Sequence, residues 1–161
     1  MSVIKVDGVG TRKGLNGAAD VANKNSSERF VSKFATNAIA KGDVVCFDFQ
    51  DTEPANGYGN HVQIADSNAT DDGCELRSAI GIAAEAIAAG ALGSIQVAGR
   101  CDFAKATTGS CAPGEPVTVH TDPGELAVSS SAEDLIVGIY IKDGSDGTAS
   151  SSVYLINPAN L

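Results

Sequence analysis

The residues of this chain that could do chemistry are two histidines, four cysteines and a set of acidic loops. His61 and His120 each stand in or at the end of an extended segment. Neither has an HxH or HxxxH partner, so neither has a local metal or catalytic companion, and both read as surface or strand-end histidines. Cys46, Cys74, Cys101 and Cys111 lack the CxxC spacing of a zinc site. In a chain made in the cytosol they read as buried thiols. Cys101 and Cys111 flank the short loop DFAKATTGS and could face each other across a hairpin. A disulfide between them would require oxidising surroundings after synthesis.

The other motifs fail their physical tests. Gly8-Val-Gly-Thr-Arg-Lys-Gly14 is glycine-rich and cationic, but it lacks GxxxxGK[ST] and a strand–helix setting. No GxSxG elbow supports a serine triad. Asp143-Gly-Ser-Asp-Gly147 has no downstream bidentate Glu and no nonapeptide repeat, so it reads as a turn, not a calcium loop. Asp66, Asp71 and Asp72 read as solvated loop charge. Asn25-Ser-Ser and Asn68-Ala-Thr match a glycosylation sequon without an export signal. No catalytic residue, cofactor or metal is expected, and the chain reads as a non-enzyme.

The elements that would position any site are strands. The stretch AIGIAAEAIAAGALGSIQVAGRCDF, Ala79 to Phe103, organises the chain. Ile95, Val97, Gly99, Cys101 and Phe103 alternate with Gln96, Ala98, Arg100 and Asp102, the period of a strand with one buried face. Ile80, Ile82, Ala84 and Ala86 give a weaker alternation before it. A helix from Ala83 to Leu92 competes, since Ala favours helices. Gly81, Gly90 and the missing N-cap favour two strands joined by a small-residue turn. Further strands are expected at Val44–Phe49, His61–Ala65, Pro116–His120, Glu125–Ser129, Leu135–Ile141 and Val153–Ile156. Val45, Phe47 and Phe49 should share one face, with Val62 and Ile64 inward.

An internal echo runs through these segments. Lys41-Gly-Asp-Val-Val resembles Pro113-Gly-Glu-Pro-Val, Ala79-Ile-Gly-Ile resembles Val137-Gly-Ile-Tyr, and Ile95-Gln-Val matches Val153-Tyr-Leu in place. The expected fold is all-β, a small barrel or sandwich built from two similar half-units. Residues 36–161 form that domain, and residues 1–35 an extended arm.

Composition narrows the function. With 161 residues the chain can bury a core without staples. Eighteen glycines and only 5% aromatics suit tight turns, not a cavity walled by rings. A net charge of −9 argues against a nucleic-acid backbone partner. No run approaches a membrane span, and the first residues lack a signal-peptide core. Residues 1–29 of the arm carry five of the eleven cations: Lys5, Arg12, Lys13, Lys24 and Arg29. The arm reads either as a disordered tail or as a segment that orders on a partner, with Val3, Ile4 and Val6 able to add to a sheet edge.

The order KGDVV, then AIGIAAEAIAAGALGSIQVAGRCDF, then PGEPVTV, then LIVGIYI resembles the small β proteins of tailed-phage head gene clusters. The resemblance spans residues 36 to 156. It implies a capsid decoration, or cement, protein or the base of a head fibre. It further implies binding to the major capsid protein on the outside of the head, and a homotrimer at local three-folds. The arm departs from the family pattern; on its own residues it could dock on the shell or a neighbouring subunit, with Val3, Ile4, Val6, Arg12, Lys13, Arg29 and Phe30 as the contact residues. A virion surface would also supply the oxidising setting for Cys101 and Cys111. The rival expectation is a tail, baseplate or head-fibre module that binds a host glycan, with Tyr58 in the NGYGN loop as its candidate. No nucleic acid or membrane is expected as a partner.

Overall fold

Turns written in glycine, aspartate and proline set the strand ends. The computed structural model describes residues 28–48, 59–67, 79–107, 111–131, 134–142 and 151–156. Val3, Ile4, Val6, Arg12, Lys13, Phe49, Tyr58 and Cys74 lie outside the described residues. Nine strands are described: β1 (Arg29–Ala35), β2 (Val44–Phe47), β3 (His61–Ile64), β4 (Ala79–Ala83), β5 (Leu92–Ala104), β6 (Pro116–Val119), β7 (Leu126–Val128), β8 (Gly138–Lys142) and β9 (Ser151–Leu155). The described residues contain no helix, and so none long and apolar enough to cross a membrane.

The strands run β1-β3-β2-β4-β5, and β1 also pairs with β5, which closes a five-stranded barrel. The order continues β5-β9-β8-β6-β7. A parallel bridge from Ala106, just past β5, to Leu126 of β7 brings that second set back on itself. The two sets repeat one scheme. In the first, β2 pairs antiparallel with β3 and β4, β4 with β5, and β1 runs parallel to β3. In the second, β6 pairs antiparallel with β7 and β8, and β8 with β9. The expected all-β fold of two half-units is therefore present, with β5 serving both.

The echo in sequence is an echo in hydrogen bonding. Gly42 N donates to Ala83 O at 2.9 Å and Ala83 N to Asp43 O at 2.9 Å. Gly114 N donates to Tyr140 O and Tyr140 N to Glu115 O, both at 2.8 Å. The acidic residue caps its own turn in each copy. Ala40 N donates to Asp43 Oδ2 at 2.7 Å, and Ala112 N to Glu115 Oε2 at 2.6 Å. Gly81 faces Val45 as Gly138 faces Val117. Both glycines sit under a neighbouring strand. A Cβ on Gly138 would lie 2.6 Å from Tyr154 O, and one on Gly81 would run into Gln96 O.

Two apolar clusters fill the fold. Ala35, Ile39, Val45, Val62, Ala83, Ile87 and Ile95 fill the first barrel. A larger cluster joins Val117, Val119, Leu126, Tyr140, Val153 and Leu155 of the second unit to Val44, Cys46 and Ile82 of the first. β2 thus uses both faces: Val45 points into its own barrel, while Val44 and Cys46 point into the other unit.

β5 does not keep one face buried along its whole length. Ile95 and Cys101 are inward as expected, but Gln96 and Ala98 are buried too. The cause is a bend at Gly99, whose φ of +86° is a left-handed conformation that glycine adopts without a Cβ penalty. The bend leaves carbonyls in need of donors. Gln96 Nε2 supplies them, reaching Ala98 O at 3.2 Å and Arg100 O at 2.8 Å. A buried amide is tolerated because it is bonded.

The units are locked together at Asp43. Its carboxylate is buried and accepts the Lys105 ammonium as well as the Ala40 N–H. Gly124, in the turn between β6 and β7, lies so close that a Cβ there would stand 2.9 Å from Asp43 Oδ1. Backbone bonds surround the contact: Val44 N to Gly124 O at 2.9 Å, Gly124 N to Ala65 O at 2.8 Å, and Lys105 N to Gly42 O at 3.0 Å.

Several expectations need correction. Cys101 and Cys111 are not joined; both are thiols. The assumed hairpin does not form, because β5 takes β9 as its partner there, with Cys101 opposite Val153. Cys46, expected as a thiol, is disulfide-bonded. Arg29 and Phe30, read as part of the arm, open β1, a strand of the barrel. The polar run before Arg29 hid that strand, whose pairing is with β5, far along the chain.

Two outcomes follow from this packing. Asp43→Ala strands Lys105 and should lower the unfolding free energy by roughly 3–5 kcal/mol in chemical denaturation, as for other half-removed buried pairs. A loss below about 1 kcal/mol would place the pair among weak surface bridges. Burial, the largest cause, pushes the Cys101 thiol up from 9.0 to about 11, with nearby Asp102 adding to it. A raised folded value means its contribution is complete below pH 9.0 and is lost as pH rises toward about 11. Native alkylation at pH 8 should therefore be slow at Cys101 and fast after unfolding, read by peptide mass.

Candidate functional site

Three adjacent strands carry the exposed large apolar side chains. Among the described residues these are Phe30 at 48% exposure, Leu92 at 57% and Tyr154 at 43%. They lie on β1, β5 and β9, which are neighbours in that order. Register places them along β5. Leu92 stands opposite Phe34, Phe30 opposite Gln96, and Tyr154 opposite Arg100. Directly paired residues project to the same side of a sheet. Leu92 and Phe30 therefore share one face of β1 and β5, while Tyr154, beyond the register shift at Arg29/Phe30 and alternating with the core residue Val153, stands apart on β9 beside Arg100. Scattered exposed apolar residues are ordinary; a pair on one face with a third on the neighbouring strand is a candidate contact surface.

The polar groups around Arg100 are ordered. Arg100 Nε pairs with Asp102 Oδ1 at 2.9 Å, and Ser152 Oγ donates to the same oxygen at 2.6 Å. The Ser152 bond first, and then Arg100 and Lys142, hold the Asp102 carboxyl below its usual range. Lys33, on β1, donates to Gly59 O at 2.6 Å and lies 5.3 Å from the Phe47 ring centroid.

Of the contact residues named from sequence, Arg29 and Phe30 stand on β1, and both are exposed. Val3, Ile4, Val6, Arg12 and Lys13 lie outside the described residues. Leu92 and Tyr154 were missed. Alternation itself puts Leu92 with Ser94 and Gln96 and sets Tyr154 between inward Val153 and Leu155, so a signal for both was present in the sequence.

The histidines fall in different units. The His61 ring meets Phe34 edge-on, with centroids 5.7 Å apart. His120 gathers with Asp122 and Glu125, their ligand atoms within 4.8 Å of one another. Asp122 N already donates to His120 Nδ1 at 3.0 Å, and His120 N to Glu125 O at 2.8 Å. That cluster is the internal bonding of the Asp122-Pro-Gly turn.

Comparison with known proteins gives the family. A model described as phage cement protein matches residues 58–155, from just before β3 to the end of β9. No curated protein matches the chain. Among solved structures, the N base of head fiber gp8.5 in bacteriophage phi29 is similar over 79% of this chain and 93% of that one, at 12% identity and a TM-score of 0.46. No functional statement rests on that likeness. The family match covers more than half of the residues, and both half-units contribute strands to it. The chain belongs to the phage cement protein family.

Proposed function

We propose that this protein decorates the outside of a phage head and stabilises the shell by bridging neighbouring major capsid subunits. The observation that carries this reading is the exposed pair Phe30 and Leu92 on one face of β1 and β5, with exposed Tyr154 on neighbouring β9, in a member of the cement family. Burying exposed apolar area against a shell is worth about 25 cal/mol per Å², and many copies add their contributions. Val3, Ile4, Val6, Arg12 and Lys13 precede in sequence the strand that carries Arg29 and Phe30, and would add the arm's contacts to the shell. The arm's cations offset the chain's net charge of −9 where it approaches the shell.

In this reading the protein is a homotrimer at local three-folds, where closed symmetry gives three equal contacts. It acts without catalysis and without nucleic acid or membrane. The alternative, a tail, baseplate or head-fibre module reading a host glycan through Tyr58, rests on a loop outside the described residues.

The test is co-sedimentation with expanded heads. Phe30→Ser, Leu92→Ser and Tyr154→Ser together should reduce binding at least tenfold, as expected when apolar anchors are lost from an interface centre. Circular dichroism and Tm should stay close to wild type, since all three side chains are exposed. Removal of residues 2–27, which leaves β1 whole, should also weaken binding. Wild-type binding by both variants would refute the attachment model.

A further inference from the structure

The second unit carries a pocket on the face that the first unit has sealed. At the position of Thr118 on β6, the first unit has Cys46, buried beneath the second unit. Thr118 instead lines an open pocket of about 360 Å³, with Ser67, His120, Thr121, Ala127, Val128, Ser130 and Asp134 around it. Val117 and Val119 turn into the core, so Thr118 turns the other way. Only 7% of Thr118 is exposed, and its Oγ1 meets no hydrogen-bond partner among the described residues. A solvated cap would keep that hydroxyl in water; a buried one calls for a partner.

The groups around it define what that partner must offer. Asp134 Oδ2 accepts Ser129 Oγ at 3.1 Å and the N–H groups of Ser130 and Ser131 at 3.0 Å each. These bonds, led by Ser131, hold the carboxyl ionised and leave Oδ1 to accept from a ligand. His120 Nδ1 accepts the Asp122 N–H, so Nε2 carries the proton and donates. The ligand must therefore donate to a carboxylate, accept from an imidazole, and do either at Thr118. Ammonium and guanidinium groups only donate, so they fail at His120. Anions meet Asp134, with Asp122 and Glu125 beside His120. Hydroxyls do both. Ala127, paired with Thr118, and Val128 add an apolar wall for a C–H face.

We propose that the pocket over β6 and β7 binds a neutral pyranose. This binding is independent of shell attachment, because it uses none of β1, β5 or β9. Without an aromatic platform each site is weak, and copies displayed together would act by avidity.

The test titrates the isolated full-length chain by amide NMR. The probes are neutral hexoses and N-acetylhexosamines, free and as polymers, with hexuronic acids and arginine amide beside them. Neutral sugars should shift the amides of Thr118, His120 and Ala127 in free or polymeric form, the polymer binding tighter if a polysaccharide is the source. Thr118→Val and Asp134→Asn should each weaken binding about tenfold, the loss of one buried hydrogen bond. Thr118→Val should keep or raise Tm, since it removes an unbonded buried hydroxyl, which separates lost binding from lost fold. The proposal is overturned if no neutral sugar shifts those amides. It is equally overturned if both variants bind as wild type, or if uronic acid or arginine amide takes the pocket instead.

Discussion

Everything in this fold meets at one buried carboxylate. Asp43 begins as a turn cap, accepting the Ala40 N–H within its own half-unit. The same side chain takes the Lys105 ammonium from the end of β5 and lies against Gly124 from the turn of the second unit. Burying a charge is unfavourable unless its oxygens are filled, and here both are. That requirement fixes the distance between three segments that are far apart in sequence. In the second unit the matching residue, Glu115, caps its turn by Ala112 N but has no such lock recorded. The repeat is thus symmetric in its turns and asymmetric at the contact between its halves.

A shared strand makes the halves inseparable. β5 pairs with β1 and β4 in one unit and with β9 in the other. A straight strand could not follow two differently oriented sheets. The bend at Gly99 lets it do so, and the Gln96 amide covers the carbonyls that the bend exposes. Glycine is also needed at Gly81 and Gly138, where the adjacent strand leaves no room for a methyl group. The abundance of small residues is therefore a condition of close strand approach, and the scarcity of aromatics follows from the same geometry.

This architecture suits a protein that acts by fitting surfaces. A member of the cement family needs a rigid body that presents contacts, and the nine strands provide one. The exposed Phe30, Leu92 and Tyr154 belong to β1, β5 and β9, whereas the polar pocket lies over β6 and β7. The two units repeat one pairing scheme but differ in chemistry at equivalent positions. One unit's outer face is core at Val44, Cys46 and Ile82, and the corresponding face of the other carries Thr118 and its polar neighbours.

Much of this was written locally. The Gly-Asp and Gly-Glu turns, the alternation in Ile95–Phe103 and the order of echoed segments depend on neighbours one to four residues apart. They specify strands, their ends and the twofold plan. What local pattern could not contain is pairing across long separations. It hid β1, because Arg29–Ala35 becomes a strand only against β5 and β3. It suggested a Cys101–Cys111 hairpin that β9 forestalls by pairing with β5. It gave no reason to notice Thr118. Alternation tells which side of a strand a residue takes; which side is inside depends on what folds over it. The chain alone thus determined the strands and their repetition. Only the tertiary structure decided which faces became core, contact surface and pocket, because burial is a property of the assembled sheets.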